Sequence, residues 1–295
     1  MRGQAPSCTV QTPASLAGAL EILFAEKGSW RPLAGGTDLM VPFAAGTLPF
    51  TRFLNLWGLE ELQGIEVAPD SLTLGALTTY AEIRNHPVLR AEFPNLVQSA
   101  WVTGAMAIQN RGTLAGNIAN GSPAADTPPS LLAYGAEVQL QSLAGSRWVP
   151  YESFHTGYKQ TAMLPEELIT RIRVHRPAGD TFHFFRKVGT RKAQAISKVC
   201  LAAYARAEAG RVAEFRLGLG SVAPVPMRAL TTEMLIQGQS IDAFHERFIA
   251  GAKQALMEDI RPIDDIRSTA SYRRKVAANV LGQLLEEMAE RFRRQ

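Results

Sequence analysis

A chain of 295 residues, 46% hydrophobic and 20% charged, can build a large core and fits two domains better than one; it holds no run near the roughly 20 apolar residues of a membrane span. Its net charge of +4 is unevenly placed, with 11 Lys and Arg against 14 Asp and Glu up to His175, then 20 against 13, and this change of sign supports a domain boundary near Pro177. The basic residues are not interleaved with aromatics in any recognisable nucleic-acid module, so they read as a solvated face.

In chain order, Met1 to Val10 lacks the apolar stretch of a secretory signal, which predicts a cytoplasmic protein. Thr12-Pro13 reads as the cap and first position of a helix that turns Leu16, Leu20, Leu23 and Phe24 to a core and stops at Gly28. Arg31 to Ala34 is a short strand running into Gly35-Gly36, Asp38 to Ala45 a short helix, and Arg52 to Leu56 the next strand. Gly64–Val67 and Ser71–Gly75 flank the turn pair Pro69-Asp70 and read as a hairpin. Helices follow over Thr79–Asn85 and Phe93–Val102.

The stretch Thr103 to Pro129 is rich in Gly, Ala, Asn, Thr and Pro and poor in large side chains, and is expected to lack regular structure. Glu137–Ser142 and Arg147–Pro150 form a second hairpin about Ala144-Gly145. Past Pro177, Phe182–Val188, Leu201–Ala209 and Val212–Leu219 read as strands, the last two joined by a tight turn at Ala209-Gly210. Three helices close the chain, roughly Val225–Gln237, Asp242–Met257 and Ser268–Arg294, the last with Val276, Val280, Leu284, Leu285 and Met288 on one face.

Two cysteines, Cys8 and Cys200, cannot supply the roughly four thiolates of an iron–sulfur cluster, and neither sits in a Cys-x-x-Cys pair. Both are expected to be buried. The histidines His86, His155, His175, His183 and His245 are scattered and read as surface or satisfied core residues rather than metal ligands. No Gly-x-Ser-x-Gly elbow, His-Glu-x-x-His pair or acidic calcium loop occurs. Any chemistry therefore belongs to a bound cofactor.

Two small-residue segments stand out. Leu33-Ala34-Gly35-Gly36-Thr37-Asp38-Leu39 lies between a strand and a helix. Glycines there let main-chain N–H groups approach a ligand and form a nest for an anion, at which the next helix aims its positive end. A phosphate or diphosphate is the natural guest, although such a turn can also be purely structural. The segment matches neither the Rossmann nor the Walker spacing. Thr113-Leu114-Ala115-Gly116-Asn117-Ile118-Ala119-Asn120-Gly121-Ser122-Pro123-Ala124-Ala125-Asp126 offers hydroxyls, amides and a carboxylate, and reads as a solvent loop or the lining of a polar ligand.

At these two segments, and at Phe154–Thr161, Glu167–Thr170, Phe185–Val188 and Asp265–Arg274, the chain resembles the flavin subunits of molybdenum hydroxylases, of the xanthine dehydrogenase and CO dehydrogenase type. The likeness covers nearly the whole chain. It implies an α+β fold: a PCMH-type FAD-binding domain of two α/β subdomains over 1–176, then a C-terminal domain of CO dehydrogenase flavoprotein type, a three-stranded antiparallel sheet with helices, over 177–295.

The resemblance implies that Arg31, Pro32, Leu33, Ala34, Gly35, Gly36, Thr37, Asp38 and Leu39 wrap the diphosphate and ribityl part of FAD. Thr113, Leu114, Ala115, Gly116 and Asn117 supply the second phosphate contact. Ala119, Asn120, Ala125 and Asp126 line the adenosine and ribityl region, and Thr103 and Gly104 border the cleft. Ile169 packs on the flavin, and Lys187 reaches it from the second domain, where a cation would steady the anionic reduced form. A surface charge is the plainer reading of Lys187.

The resemblance also implies a heterotrimer. Hydroxylation occurs on a molybdopterin-binding large subunit, electrons cross two [2Fe-2S] clusters on a small subunit, and FAD passes them to NAD. The segment Gly189–Ile196 departs from the family by being basic and neutral where some members are acidic, which leaves a quinone, a cytochrome or oxygen open as acceptor. A self-sufficient flavoenzyme of the same superfamily, MurB-like or alcohol oxidase-like, is the alternative; it needs its own acid near the flavin, and candidates are few. A non-catalytic binding module has only the basic C-terminal half in its favour.

Overall fold

The computed structural model describes residues 7–191 and 194–294, so that within Gly189–Ile196 both Lys192 and Ala193 lie outside the described residues, as do Met1 to Pro6. The chain opens with β1 (Thr9–Gln11), α1 (Leu16–Ala25), β2 (Arg31–Leu33), α2 (Met40–Ala44) and β3 (Arg52–Asn55). The three strands form a parallel sheet in the order β1-β3-β2. The cap of α1 is Ser15, whose hydroxyl accepts the Gly18 N–H, and not Thr12. Leu20 and Leu23 are buried as expected, whereas Phe24 faces outward under Lys27.

A hairpin of β4 (Ile65–Val67) and β5 (Ser71–Gly75) turns at Pro69-Asp70 and leads into α3 (Tyr80–Asn85), α4 (Pro87–Glu92) and α5 (Pro94–Val102). Helix α3 begins with a full capping box, Thr79 with Glu82. The stretch expected to be irregular instead contains α6 (Met106–Gln109), α7 (Leu114–Ala119) and the start of α8 (Pro128–Ala133). Leu114, Ala115 and Ile118 are buried, enough to anchor a turn and a half of helix among residues too small to signal one.

Next come β6 (Glu137–Ser142), β7 (Gly145–Pro150), β8 (His155–Gly157), β9 (Gln160–Thr161) and β10 (Leu168–His175). Strand β10 is central to an antiparallel sheet in the order β4-β5-β10-β6-β7. Ile172 and Val174 point inward and Arg171 and Arg173 lie half-buried, the period of two that a covered sheet requires. Arg173 stacks on Trp148 across that sheet.

The remainder is β11 (Asp180–Val188), β12 (Val199–Glu208), β13 (Arg211–Gly220), β14 (Met227–Arg228), α9 (Leu230–Ile236), α10 (Glu246–Asp259) and α11 (Ala270–Arg293). The sheet β11-β12-β13-β14 has four antiparallel strands, one more than expected, because Met227-Arg228 pairs with Gly218-Leu219 before α9 begins. Ala209 and Gly210 both have positive φ, the hairpin turn that matches strand twist.

A second core joins this sheet to α9–α11 through Phe215, Leu217, Leu281, Leu284 and Met288. Helix α8, from the first half of the chain, packs on β12 and β13: a Cβ on Gly218 would stand 2.1 Å from the Pro129 carbonyl oxygen, so glycine is obligatory there. Cys200 is buried and Cys8, against expectation, is exposed. Among the described residues no helix is long and apolar enough to cross a membrane.

Candidate functional site

The decisive geometry is where the two glycine-bearing loops meet. Gly35 lies with its backbone against Arg111, so that a Cβ there would stand 1.7 Å from the Arg111 carbonyl oxygen. The loops thus touch main chain to main chain, and Gly36 turns the first away with φ +75°. Among the described residues, the N–H groups of Gly35, Gly36, Thr37 and Asp38 find no acceptor within the chain. Four successive unpaired donors at a glycine turn are an anion nest, the electrostatic and steric match for a diphosphate.

Residues Arg31 to Thr37 are half-buried and Asp38 is exposed, with Arg31 over the ring of Phe50 and the Leu33 carbonyl accepting the Leu56 N–H. The Leu39 carbonyl accepts the Phe43 N–H as α2 forms. On the other side, Thr113 caps α7, its hydroxyl accepting the Gly116 N–H at 3.1 Å. The Leu114 N–H donates to Thr78, which ties α7 to the sheet next to α3. The Thr127 hydroxyl donates to Asn117 Oδ1 at 2.5 Å, folding Ala125 and Asp126 back towards α7. Gly116 and Ala119 remain exposed on one face of α7, and Asn120 is half-buried.

Thr103 and Gly104 end α5: the Thr103 hydroxyl donates to the Ser99 carbonyl, and Gly104 has φ +63°. Lys187 joins this corner to Asp126. Its ammonium lies 2.6 Å from Asp126 Oδ2 and donates to the Val102 carbonyl at 3.1 Å. Asp126 is 8% exposed. Burial pushes its carboxyl above the usual range, against the opposing pull of Lys187 and of the Ser197 hydroxyl, which donates to Oδ1. Lys187 is therefore a buried tie between the two halves of the chain, which corrects the surface-charge reading.

Ile169 lies on β10, 5% exposed within the first core, and shares none of these hydrogen bonds; its link to the loops is the packing of α7 against β10. Three residues that local patterns did not single out belong to the arrangement. Ser197 and Ser221 extend the Asp126 network: Ser221 donates its hydroxyl to the Ser197 carbonyl and its N–H to the Pro123 carbonyl. Tyr80 stands behind the loop junction, its N–H donating to the Gly112 carbonyl. The capping box at Thr79 was a readable signal of where α3 starts, but the bridge from Thr79 to Thr113 that brings Tyr80 to the loops is a long-range pairing.

Each histidine has a local partner, His175 at 3.4 Å from Glu137, though Nδ1 of His155 is buried without one among the described residues. His155 and His183 meet the hydroxyls of Tyr151 and Tyr134, while His86 and His245 cap helices. Burial lowers both His155 and His183 to about 4, so neither is charged at neutral pH. No cluster of metal-ligating side chains exists among the described residues.

Comparison with known proteins agrees with this geometry. Residues 6–177 match the model of the FAD binding domain in molybdopterin dehydrogenase, and residues 184–288 match the CO dehydrogenase flavoprotein C-terminal domain. The chain belongs to the FAD-binding subunits of the molybdopterin dehydrogenases.

Among its relatives, a putative xanthine dehydrogenase FAD-binding subunit of Escherichia coli is 29% identical over 93% of both chains. The carbon monoxide dehydrogenase medium chain of Hydrogenophaga pseudoflava is 26% identical over 95% of this chain and 96% of its own. Structurally, carbon monoxide dehydrogenase from the same organism superposes with a TM-score of 0.92 at 26% identity, covering 98% of this chain and 99% of that one. Quinoline 2-oxidoreductase from Pseudomonas putida 86 follows at 0.89 and 25%, with 98% and 99% coverage. This FAD-binding subunit is thus an oxidoreductase component whose cofactor is FAD, and the free amides of Gly35 to Asp38 fit the diphosphate that cofactor carries.

Proposed function

We propose that the chain is the electron-transfer subunit of a molybdopterin-dependent hydroxylase, taking electrons from [2Fe-2S] clusters on a small subunit and delivering them through FAD to NAD or another acceptor. The observation that carries this reading is the convergence of the loops at Gly35 and Arg111, with four unpaired N–H groups beside it. In this reading the FAD-binding domain spans 1–176 and the second domain 177–295. Bound FAD supplies the redox chemistry; the chain supplies position and field.

Arg31 to Leu39 hold the diphosphate, and Thr113 to Asn117 make the second contact. Thr103, Gly104, Ala119, Asn120, Ala125 and Asp126 line the rest of the cleft. Lys187 acts on the cleft by fixing Asp126. Ile169 contributes through the packed floor of β10 beneath α7. The relatives named as medium chains and FAD-binding subunits support a partnership with a molybdopterin-binding large subunit and a [2Fe-2S] small subunit.

The test is twofold. Purified chain should take up non-covalent FAD stoichiometrically with an oxidised-flavin spectrum, and native copurification should recover a molybdenum-containing chain and an iron–sulfur chain. Protein that stays colourless with FAD ends the reading. Turnover of a substrate by the isolated chain would favour a self-sufficient flavoenzyme.

A further inference from the structure

Tyr80 is 3% exposed, yet its hydroxyl has no hydrogen-bond partner among the described residues. The hydroxyl oxygen is not among the fully enclosed side-chain atoms that lack a partner, so this end of the ring keeps an opening through which a group from outside the chain can meet it. The ring is aimed by local structure. Tyr80 is the first residue of α3, locked by the Thr79–Glu82 capping box, and its N–H donates to the Gly112 carbonyl at 3.1 Å. A Cβ on Gly112 would lie 2.9 Å from Tyr80 Cε2 and 3.2 Å from Cδ2, so the hydroxyl-bearing end of the ring leads into the second loop. Arg111, which meets Gly35, is the preceding residue of that loop.

Three features converge on one ligand chemistry. Burial, then the charges of Asp126 and Asp38, raise the Tyr80 hydroxyl, which keeps its proton and serves only as a donor to a negative group. Neither carboxylate is within hydrogen-bond distance of it. The neighbouring N–H groups of Gly35 to Asp38 point to an anion at the same junction. We propose that the Tyr80 hydroxyl donates a hydrogen bond to an anionic oxygen of the diphosphate of the bound dinucleotide, a side-chain contact additional to the main-chain nest. This rests on placing FAD between the two loops.

The experiment uses the full chain with Tyr80→Phe, FAD as probe, and three readouts. The FAD-free variant should melt where the wild type does, because the lost hydroxyl has no partner in the chain. Its Kd for FAD, read from quenching of flavin fluorescence, should rise about tenfold or more, the scale of a hydrogen bond to a charged group. One of the two phosphorus-31 resonances of bound FAD should move. An unchanged Kd, or two unmoved resonances, would overturn the assignment. So would a destabilised FAD-free variant, since that would reveal a partner inside the chain. Wild-type protein that binds no FAD would instead overturn the placement of the cofactor between the loops.

Discussion

Lys187 on β11 and Asp126 after α7 are 61 residues apart in sequence and 2.6 Å apart in space, and only about a tenth of each side chain is exposed. It is one member of a chain of contacts that continues from Asp126 to Ser197, Ser221, Arg273 and Asp265. The wall of the cleft is thereby braced by the second half of the molecule, which explains why an FAD-binding domain is followed by a domain that contributes few of the predicted loop residues.

Lys187→Met should destabilise the protein by about 3 kcal/mol, because it strands a buried carboxylate. The loss should depend on pH. Burial raises the Asp126 carboxyl in the fold, so its contribution is fully present below the ordinary carboxylate range and is lost as pH rises through the folded value. Without Lys187 that loss deepens. Thermal midpoints from pH 4 to 8 should therefore show the gap between variant and wild type widening as pH rises; a constant gap would contradict a stranded charge.

Gly35→Ala tests the loop junction. A methyl group 1.7 Å from the Arg111 carbonyl oxygen cannot be accommodated unless the loops separate. The expected result is a loss of stability of about 3 kcal/mol or somewhat less, together with loss of FAD uptake. Isothermal titration checks the second part. Full-affinity binding by this variant would mean that the two loops do not act together.

Ser221 sits at φ +66°, an uncommon conformation for a residue with a side chain, while its N–H, hydroxyl and carbonyl are all engaged, with Pro123, Ser197 and Arg273. Ser221→Gly relieves the strain but removes the hydroxyl that holds Ser197. We expect near-unchanged global stability with faster tryptic cleavage after Arg191 or Lys198. Unchanged cleavage would show that the hydroxyl does not anchor this segment.

Asp265 gives an acid signature. Burial opposes it, but the N–H of Arg267, the Arg273 guanidinium and the N–H of Ser268 take its carboxyl down to about 2. A depressed carboxyl stabilises the fold above its ordinary range of about 4, and the contribution is lost as pH falls through about 2. The stability difference between wild type and Asp265→Asn, followed from pH 6 to 2, should shrink towards the acid end. A pH-independent difference would remove Asp265 from the acid response.

The local grammar of the chain was strong enough to mark most strands and helices and both glycine-bearing segments. The apolar run of β12, the Pro69-Asp70 and Ala209-Gly210 turns and the apolar face of α11 each act within a few residues, so sequence alone specifies them. The family motifs likewise lie in contiguous runs.

What could not be read locally arises from pairing at a distance. Strand β10, with few turn signals beside it, becomes central only once β5 and β6 are in register on either side. Helix α7 holds because Leu114 and Ile118 find a core that its own small residues cannot provide. Lys187 looked like one more charge of a basic half until β11 carried it to Asp126, and no local pattern singled out Tyr80, which the bridge from Thr79 to Thr113 sets behind the loops. In each case burial, which is a property of the assembled fold and not of the residue, assigned the role.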